Sequence, residues 1–159
     1  MSLGHGLGAQ TLNERPANTE LDEVTCFRLL ERVGHGTLAT IHPTRGVDAV
    51  PVVFATDHGR IILPVDTVKP KRSTDLQRLR NLDADPRCVL LVDHYSEKWD
   101  ELWWVRVHGS AHICSPVELD NARSVLGKRH VQYLQPGSVV GAIALRPERV
   151  TGWQAGQAK

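Results

Sequence analysis

The sequence predicts a mainly β domain in which six antiparallel strands form a barrel with helices at its ends. Three short apolar segments rich in β-branched residues, 36–41, 47–55 and 61–65, follow one another through tight turns, which is typical of an antiparallel meander. Residues 103–113 then alternate between apolar and polar side chains over eleven positions, which predicts a long strand with one face in the core. A mainly β barrel accommodates both observations.

Composition restricts the classes of function. The chain has 159 residues, enough for one domain with a substantial core, and its net charge of +1 argues against a broad nucleic-acid footprint. Three cysteines, Cys26, Cys88 and Cys114, lie far apart without a CxxC pair, so neither a disulfide framework nor a metal knuckle is indicated. We expect a cytoplasmic protein, because no segment has the roughly 20 apolar residues of a membrane helix and none resembles a signal peptide.

Domain organisation follows from the same survey. Residues 1–18 are rich in glycine and polar residues and show no periodicity, so we expect a flexible N-terminal arm. Residues 19–159 then form a single domain. Its first element is a helix that begins at Thr19 and ends at Gly34, with one apolar face formed by Leu21, Val24, Phe27, Leu30 and Val33.

The remaining elements are read from local signals. Pro51 indicates an edge or bulge position for the second strand. Residues 88–92 are continuously apolar and predict a strand buried on both faces. Ser115 and Glu118 form a capping box at the start of a third helix, and the last strand, 139–145, extends past a proline bulge towards Trp153.

A basic loop follows the third strand and precedes the second helix. It places Lys69, Lys71 and Arg72 within four residues, directly before a capping box formed by Thr74 and Gln77. Free backbone N–H groups at a helix start, together with nearby cations, can bind a phosphate or carboxylate. A solvated basic loop explains the same residues, so both interpretations stay open at this point.

The polar face of the alternating strand carries Trp104 and Arg106. Both residue types are common in dimer interfaces, and both can also form the wall of a cofactor site. His108 and His112 share this face but lie about 13 Å apart, too far to bind one metal ion, and no metal site is predicted. The neighbouring residues 93–95, Asp-His-Tyr, are a weaker candidate for an acid/base group, and no catalytic residue is assigned.

The order of these motifs resembles a known family. The sequence reads GTLATI, PVVFA, IILPVD, the KPKR loop with its helix, NLDADPRCVLLVD and WWVRVHGSA over residues 20–153. This order is similar to that of the pyridoxamine 5′-phosphate oxidase-like split-barrel flavoproteins. The KPKR and WWVRVHG segments are most similar to an actinobacterial subgroup that uses the deazaflavin coenzyme F-420.

The resemblance implies a six-stranded FMN-binding split barrel and a homodimer with two cofactor clefts between the barrels. It implies hydride transfer from reduced F-420 to a small electron-poor substrate, with chemistry carried by the cofactor. It also implies which residues bind the cofactor. These are Val52, Val53 and Phe54 beside the ring, Pro64, Val65 and Asp66 at its other edge, Lys69, Lys71 and Arg72 on the phosphate, and Trp104 and Arg106 on the substrate side.

One departure from the family pattern bears on the cofactor. FMN-using oxidases of this family carry basic residues at both ends of the second strand, where this sequence has Val50 and Ala55. The basic loop therefore has to bind the phosphate alone, and a dense basic loop also suits the longer anionic tail of F-420. An FMN-dependent oxidoreductase and a non-catalytic flavin or haem carrier of the same fold remain the alternatives.

Overall fold

The computed structural model describes residues 19–68 and 76–156, and these form eight strands and three α-helices. The strands are β1 (Thr19–Leu21), β2 (His35–His42), β3 (Gly46–Val53), β4 (Ala55–Asp57), β5 (Arg60–Asp66), β6 (Arg87–His94), β7 (Trp103–Ile113) and β8 (Val139–Gln154). The helices are α1 (Glu23–Val33), α2 (Gln77–Ala84) and α3 (Pro116–Arg129), with 3₁₀ turns at Trp99–Glu101 and Val131–Leu134.

The predicted fold class is confirmed, but the predicted count of six strands is wrong. A break at Phe54 divides the expected second strand into β3 and β4, and residues 19–21 form β1. All pairings are antiparallel in the order β3-β2-β6-β7-β8-β5-β4, with β1 also on β8. Pro51 lies on β3 at the end of this order, as expected for a residue that cannot donate a ladder hydrogen bond.

Strand β8 organises the sheet. Its residues 139–145 pair with β5, its residues 143–154 pair with β7, and its last three residues also pair with β1. The predicted extension past a proline bulge is confirmed, because the register with β7 shifts where Gly109 faces Pro147. A carbon at the Cβ position of Gly109 would collide with the Arg146 carbonyl oxygen, so a side chain is excluded at this crossing.

Helix α1 begins later than predicted. Asp22, not Thr19, is the N-cap, and its carboxylate accepts the Thr25 N–H at 2.7 Å. Thr19 pairs with Gln154 in β1. The predicted end is confirmed, because Gly34 adopts a left-handed φ of 67° and its N–H donates to Leu30.

The other two helices differ in how they begin. Helix α3 has the predicted capping box between Ser115 and Glu118. Helix α2 begins at Gln77 with Leu76 as N-cap and no side-chain cap, two residues later than a Thr74 cap requires. Thr74 itself lies outside the described residues. In the described ranges, no helix is long and apolar enough to cross a membrane.

The core lies between one face of the sheet and helices α1 and α2, and a smaller cluster lies beneath α3. The expectation that residues 88–92 are buried on both faces is wrong. Cys88, Leu90 and Val92 point into the core, whereas Leu91 is 38% exposed. Leu91 lies on the face of the sheet that points away from the core, because the residues of this face are cross-strand partners or alternate with core residues. We call it the outer sheet face, and it consists of Thr37, Ala39, Val89, Leu91, Trp104, Arg106, His108, Thr151 and Trp153.

Candidate functional site

The first wall of the candidate site is the junction between β3 and β4. Val52 and Phe54 are buried in the main core, and Val53 is half-buried against the smaller cluster. Ala55 pairs with Ile62, so this junction lies beside the middle of β5. The structure therefore brings the two predicted ring-binding segments, 52–54 and 64–66, to the same part of the molecule.

The backbone of Phe54 is already engaged within the chain. Its N–H donates to the Gly34 carbonyl oxygen at 2.9 Å, and its carbonyl oxygen lies 2.8 Å from Nε2 of His130. A flavin or deazaflavin ring at this wall would therefore use backbone groups of Val52 and Val53 on the edge strand β3, which pairs only with β2 among the described strands.

The second wall is the C-terminal end of β5. Pro64, Val65 and Asp66 are buried. The Tyr133 hydroxyl donates to Oδ2 of Asp66 at 3.0 Å, and this bond is itself buried. Burial and the Asp66 carboxylate together raise the pKa of Tyr133 well above its usual value, so the phenol stays protonated and remains a donor.

Arg78, in the first turn of α2, completes this end of the site. Its Nη2 lies 3.4 Å from the Pro64 carbonyl oxygen, and its Nε is buried without a hydrogen-bond partner within residues 19–68 and 76–156. Burial lowers the pKa of the guanidinium, and the Asp66 carboxylate opposes that shift. A half-buried guanidinium with a buried and unused N–H is a natural ligand for an anionic group.

Sequence reasoning missed Arg78. Its position in a helix that also carries Arg80 made it look like one of several solvated side chains. Asn81 offered the missing signal, because a residue three positions away lies on the same helix face. Asn81 is fully buried and donates to Oγ1 of Thr40 and Oδ2 of Asp48, both at 2.9 Å, which fixes this face of α2 against the sheet.

The basic loop lies outside the described residues. Lys69, Lys71 and Arg72 all fall in the segment 69–75, so their prediction as phosphate ligands stays a prediction. The segment begins three residues after Asp66 and ends two residues before α2.

Trp104 and Arg106 are neighbours on the outer sheet face, as the alternation of β7 predicts. The guanidinium carbon of Arg106 lies 5.2 Å from the centre of the Trp104 ring, a cation–π contact. Trp104 is flanked by Trp153 on β8 and Asp93 on β6. The result is a half-buried aromatic patch with one cation.

Within one chain, this patch is far from the β5 end of the site. Trp104 pairs with Trp153, whereas Pro64 pairs with Ala142. The two partners on β8 are eleven residues apart, which corresponds to roughly 36 Å along an extended strand. Among the described residues, the structure therefore places Trp104 and Arg106 towards the opposite end of β8 from Pro64 and Asp66.

The weaker candidates remain dispersed. Asp93, His94 and Tyr95 are exposed, and the His94 ring stacks against Trp103 with a centroid distance of 6.5 Å. His112 pairs with Glu118 at 2.9 Å beside the α3 cap. Across the described part of the chain, no group of three or more histidine, cysteine or acidic side chains could hold a metal ion.

Comparison with known proteins identifies the family. A model of the pyridoxamine 5′-phosphate oxidase family matches residues 23–154, nearly all of the described chain. The chain belongs to the pyridoxamine 5′-phosphate oxidase family. No curated protein matches the sequence of this family member.

Solved structures show the same split-barrel fold. A FAD-binding protein from Mesorhizobium loti is 21% identical with a TM-score of 0.65, covering 87% of this chain and 98% of its own. The conserved hypothetical protein Rv2991 from Mycobacterium tuberculosis is 20% identical with a TM-score of 0.68, and the match covers 91% of this chain and 90% of that protein. The haem storage protein HutZ from Vibrio cholerae is 13% identical with a TM-score of 0.64, and the match covers 84% of this chain and 96% of that protein. At these identities the likeness establishes the fold of this pyridoxamine 5′-phosphate oxidase family member.

Proposed function

We propose that this protein is an oxidoreductase that uses the deazaflavin coenzyme F-420 to transfer hydride to a small electron-poor organic substrate. Family membership supports a flavin-type cofactor, and a FAD-binding protein is among the structural relatives. The observation that carries the proposal is the buried Nε of Arg78. It has no hydrogen-bond partner among the described residues of the chain, so it calls for an acceptor from a ligand.

The anion site contains more cations than Arg78. The basic loop adds Lys69, Lys71 and Arg72 immediately before the helix that carries Arg78. Leu76 gives α2 no side-chain cap, so within the described part of the chain the N–H groups of Gln77 and Arg78 have no side-chain acceptor and could donate to the same anion. This concentration of donors suits a phosphate followed by a carboxylate-bearing tail better than a single phosphate.

We also propose that the active form is a homodimer in which each cleft takes residues from two copies. The Trp104 and Arg106 patch pairs with the C-terminal end of β8, whereas Arg78 contacts Pro64, which pairs with the N-terminal end of β8. The outer sheet face that carries the patch includes the exposed Leu91, and a groove of about 390 Å³ with both apolar and charged lining residues lies beside its Ala39, Val89 and His108. A second copy would cover this face and bring its Trp104 to the first copy's Arg78.

Each part of the site has a distinct role in this proposal. The cofactor would supply the hydride, so the protein needs no nucleophile. Arg78 and the basic loop bind the anionic end. Val53 and Pro64 place the apolar ring between β3 and β5, and Trp104 with Arg106 from the second copy cover the substrate side and exclude water.

FMN is the second candidate cofactor. Its support is the flavin-binding relative named above, and its weakness is the pair Val50 and Ala55. Val50 packs against the main core and Ala55 is buried in the smaller cluster, so neither position supplies a cation to a phosphate.

Parallel fluorescence titrations of the purified protein with F-420 and with FMN test the proposal. We expect micromolar or tighter binding of F-420 and weaker binding of FMN, followed by oxidation of reduced F-420 when an electron-poor acceptor is added. Tighter binding of FMN assigns the protein to the FMN-dependent branch. Binding without turnover by any acceptor indicates a carrier, and binding of neither cofactor contradicts the proposal.

A further inference from the structure

Four side chains form a row across the outer sheet face near the C-terminal end of β8. Asp93, Trp104, Trp153 and Glu20 are successive cross-strand partners on β6, β7, β8 and β1. Directly opposed residues point to the same side of a sheet, so two tryptophans lie next to each other with one carboxylate on either side. We call these four residues the aromatic row. With neighbouring strands about 4.8 Å apart, the row is about 14 Å long.

The aromatic row faces away from the core. Val105, which follows Trp104 in β7, is fully buried. Gly152, which precedes Trp153 in β8, lies so close to the Cys26 sulfur that a Cβ would collide with it. Both tryptophans are half-buried, and both carboxylates at the ends of the row are exposed. A flat ligand therefore has access to the two indole rings from the outer side of the sheet.

The charges of the aromatic row are not used up by the chain. Within residues 19–68 and 76–156, neither Glu20 nor Asp93 takes part in an ion pair. The guanidinium of Arg106, two positions along β7, lies over the Trp104 ring at 5.2 Å instead. Two carboxylates and this one guanidinium leave the surface with a net charge of −1.

Indole rings beside carboxylates are suited to organic cations. The face of a tryptophan ring attracts a cation, and the contact between Arg106 and Trp104 shows one such pairing on this surface. The carboxylates add an attraction that a neutral or anionic ligand does not receive. An N-alkylated pyridinium, quinolinium or acridinium ring can stack on the indoles while its charge lies between the two carboxylates.

We propose that the aromatic row binds a planar organic cation and that the hydride acceptor of this protein belongs to that class. The second part rests on the proposed function, and in the proposed homodimer the row lines the cleft because Trp104 belongs to it. The hydride forms a C–H bond on the cationic ring, its electron pair neutralises the ring, and the reduced cofactor is oxidised and loses a proton to solvent. The reaction therefore needs no proton donor from the protein, and the neutral product loses its attraction to the row.

Binding of N-methylacridinium and of acridine, its neutral parent, tests the site without any cofactor. Isothermal titration under mildly alkaline conditions, in which acridine is uncharged, should give at least about fivefold tighter binding of the cation to the wild type. The double substitution Glu20→Gln with Asp93→Asn keeps the shape of both exposed side chains and removes their charges. It should reduce the preference to less than about twofold and leave the affinity for acridine unchanged.

A matched control removes the same charge elsewhere. Glu31→Gln with Asp83→Asn changes two exposed carboxylates on α1 and α2 and should keep the preference for the cation. Trp153→Leu should weaken binding of both probes by about fivefold, because both stack on the ring. Equal binding of the two probes to the wild type overturns the inference. A preference that survives the substitution of Glu20 and Asp93, or that the control also loses, overturns it as well, even if Trp153→Leu does not fold.

Turnover separates this inference from the proposed function. With reduced F-420, the double carboxylate variant should show a KM for N-methylacridinium about fivefold higher than the wild type, an unchanged kcat, and an unchanged KM for a neutral naphthoquinone. An equal change for both acceptors, or turnover of the naphthoquinone alone, overturns the acceptor class and leaves the proposed function intact. A protein that binds neither F-420 nor FMN overturns the proposed function and the acceptor class together, whereas a cation preference carried by the aromatic row still supports the binding site.

Discussion

Nη2 of Arg78 lies 3.4 Å from the carbonyl oxygen of Pro64, which places a half-buried guanidinium from α2 against the end of β5. The adjacent Nε has no partner within the described ranges. Strand β5 and helix α2 are separated in sequence only by the short segment that contains the basic loop. The anion site of the proposed function is therefore built from two rigid elements and the loop that joins them.

The basic loop is the first part of this site to test. The double substitution Lys69→Ala with Lys71→Ala should weaken F-420 binding at least tenfold, because each charge-assisted hydrogen bond contributes about 1.5–3 kcal/mol. Fluorescence titration measures the loss, and the Lys128→Ala substitution on the exposed side of α3 serves as the control. An unchanged dissociation constant in the double variant would mean that the loop is merely solvated.

The outer sheet face should mediate dimerisation. Leu91→Arg places a second cation beside Arg106, its cross-strand partner in the middle of this face, where a partner copy would bury both charges, so the variant should be monomeric. Sedimentation velocity reads the mass directly. Val24→Arg on the exposed side of α1, where Val24 is 60% exposed, should behave as the wild type. A wild-type protein that sediments as a monomer refutes the shared cleft.

Mixed dimers test whether each cleft draws on two copies. Arg78→Ala and Trp104→Ala homodimers should each bind the cofactor poorly, because every cleft lacks one residue. Subunits exchanged between the two variants at equal concentration should recover about a quarter of the wild-type sites, since half of the dimers are mixed and each mixed dimer has one intact cleft. If no binding sites are recovered after exchange has been verified, then either both residues serve the site of the same copy or neither residue belongs to a site.

Acid stability should depend on Asp48. The Arg45 guanidinium, and next the Asn81 amide, lower the pKa of this carboxyl from 3.8 to about 2. Because the folded value lies below the unfolded one, the contribution to stability is present above about pH 4 and is lost as the pH falls towards 2. Melting temperatures from pH 5 to 2 should fall less steeply for Asp48→Asn than for the wild type. Parallel curves would show that this carboxyl does not contribute to the acid transition.

Local sequence signals predicted most of the fold. The alternating segment 103–113 has the same bounds as β7, and Ser115 caps α3 as its spacing with Glu118 predicts. The signals failed where tertiary contacts decide. Thr19 has the chemistry of a helix cap, but pairing with Gln154 places it in a strand. Leu91 lies in a continuously apolar segment, but it is 38% exposed because it alternates with residues that face the core.

The candidate site was harder to predict than the fold. The contact between Trp104 and Arg106 follows from strand periodicity, because residues two apart share a face. Arg78 could not be found in the same way, since an arginine on a helix is usually solvated and only the packing of Asn81 shows that this face of α2 is buried. The separation of Trp104 from Pro64 depends on the path of β8, which the sequence does not encode locally.

Binding of F-420 to Arg78→Met, compared with the wild type and with Arg28→Met, tests the central claim most directly. Methionine keeps much of the apolar stem of arginine and removes the guanidinium, while Arg28 is an exposed arginine on α1. The account predicts a dissociation constant at least tenfold weaker for Arg78→Met and unchanged for Arg28→Met, for F-420 and equally for FMN if FMN is the tighter ligand. Wild-type affinity in Arg78→Met would contradict an anion site at the start of α2.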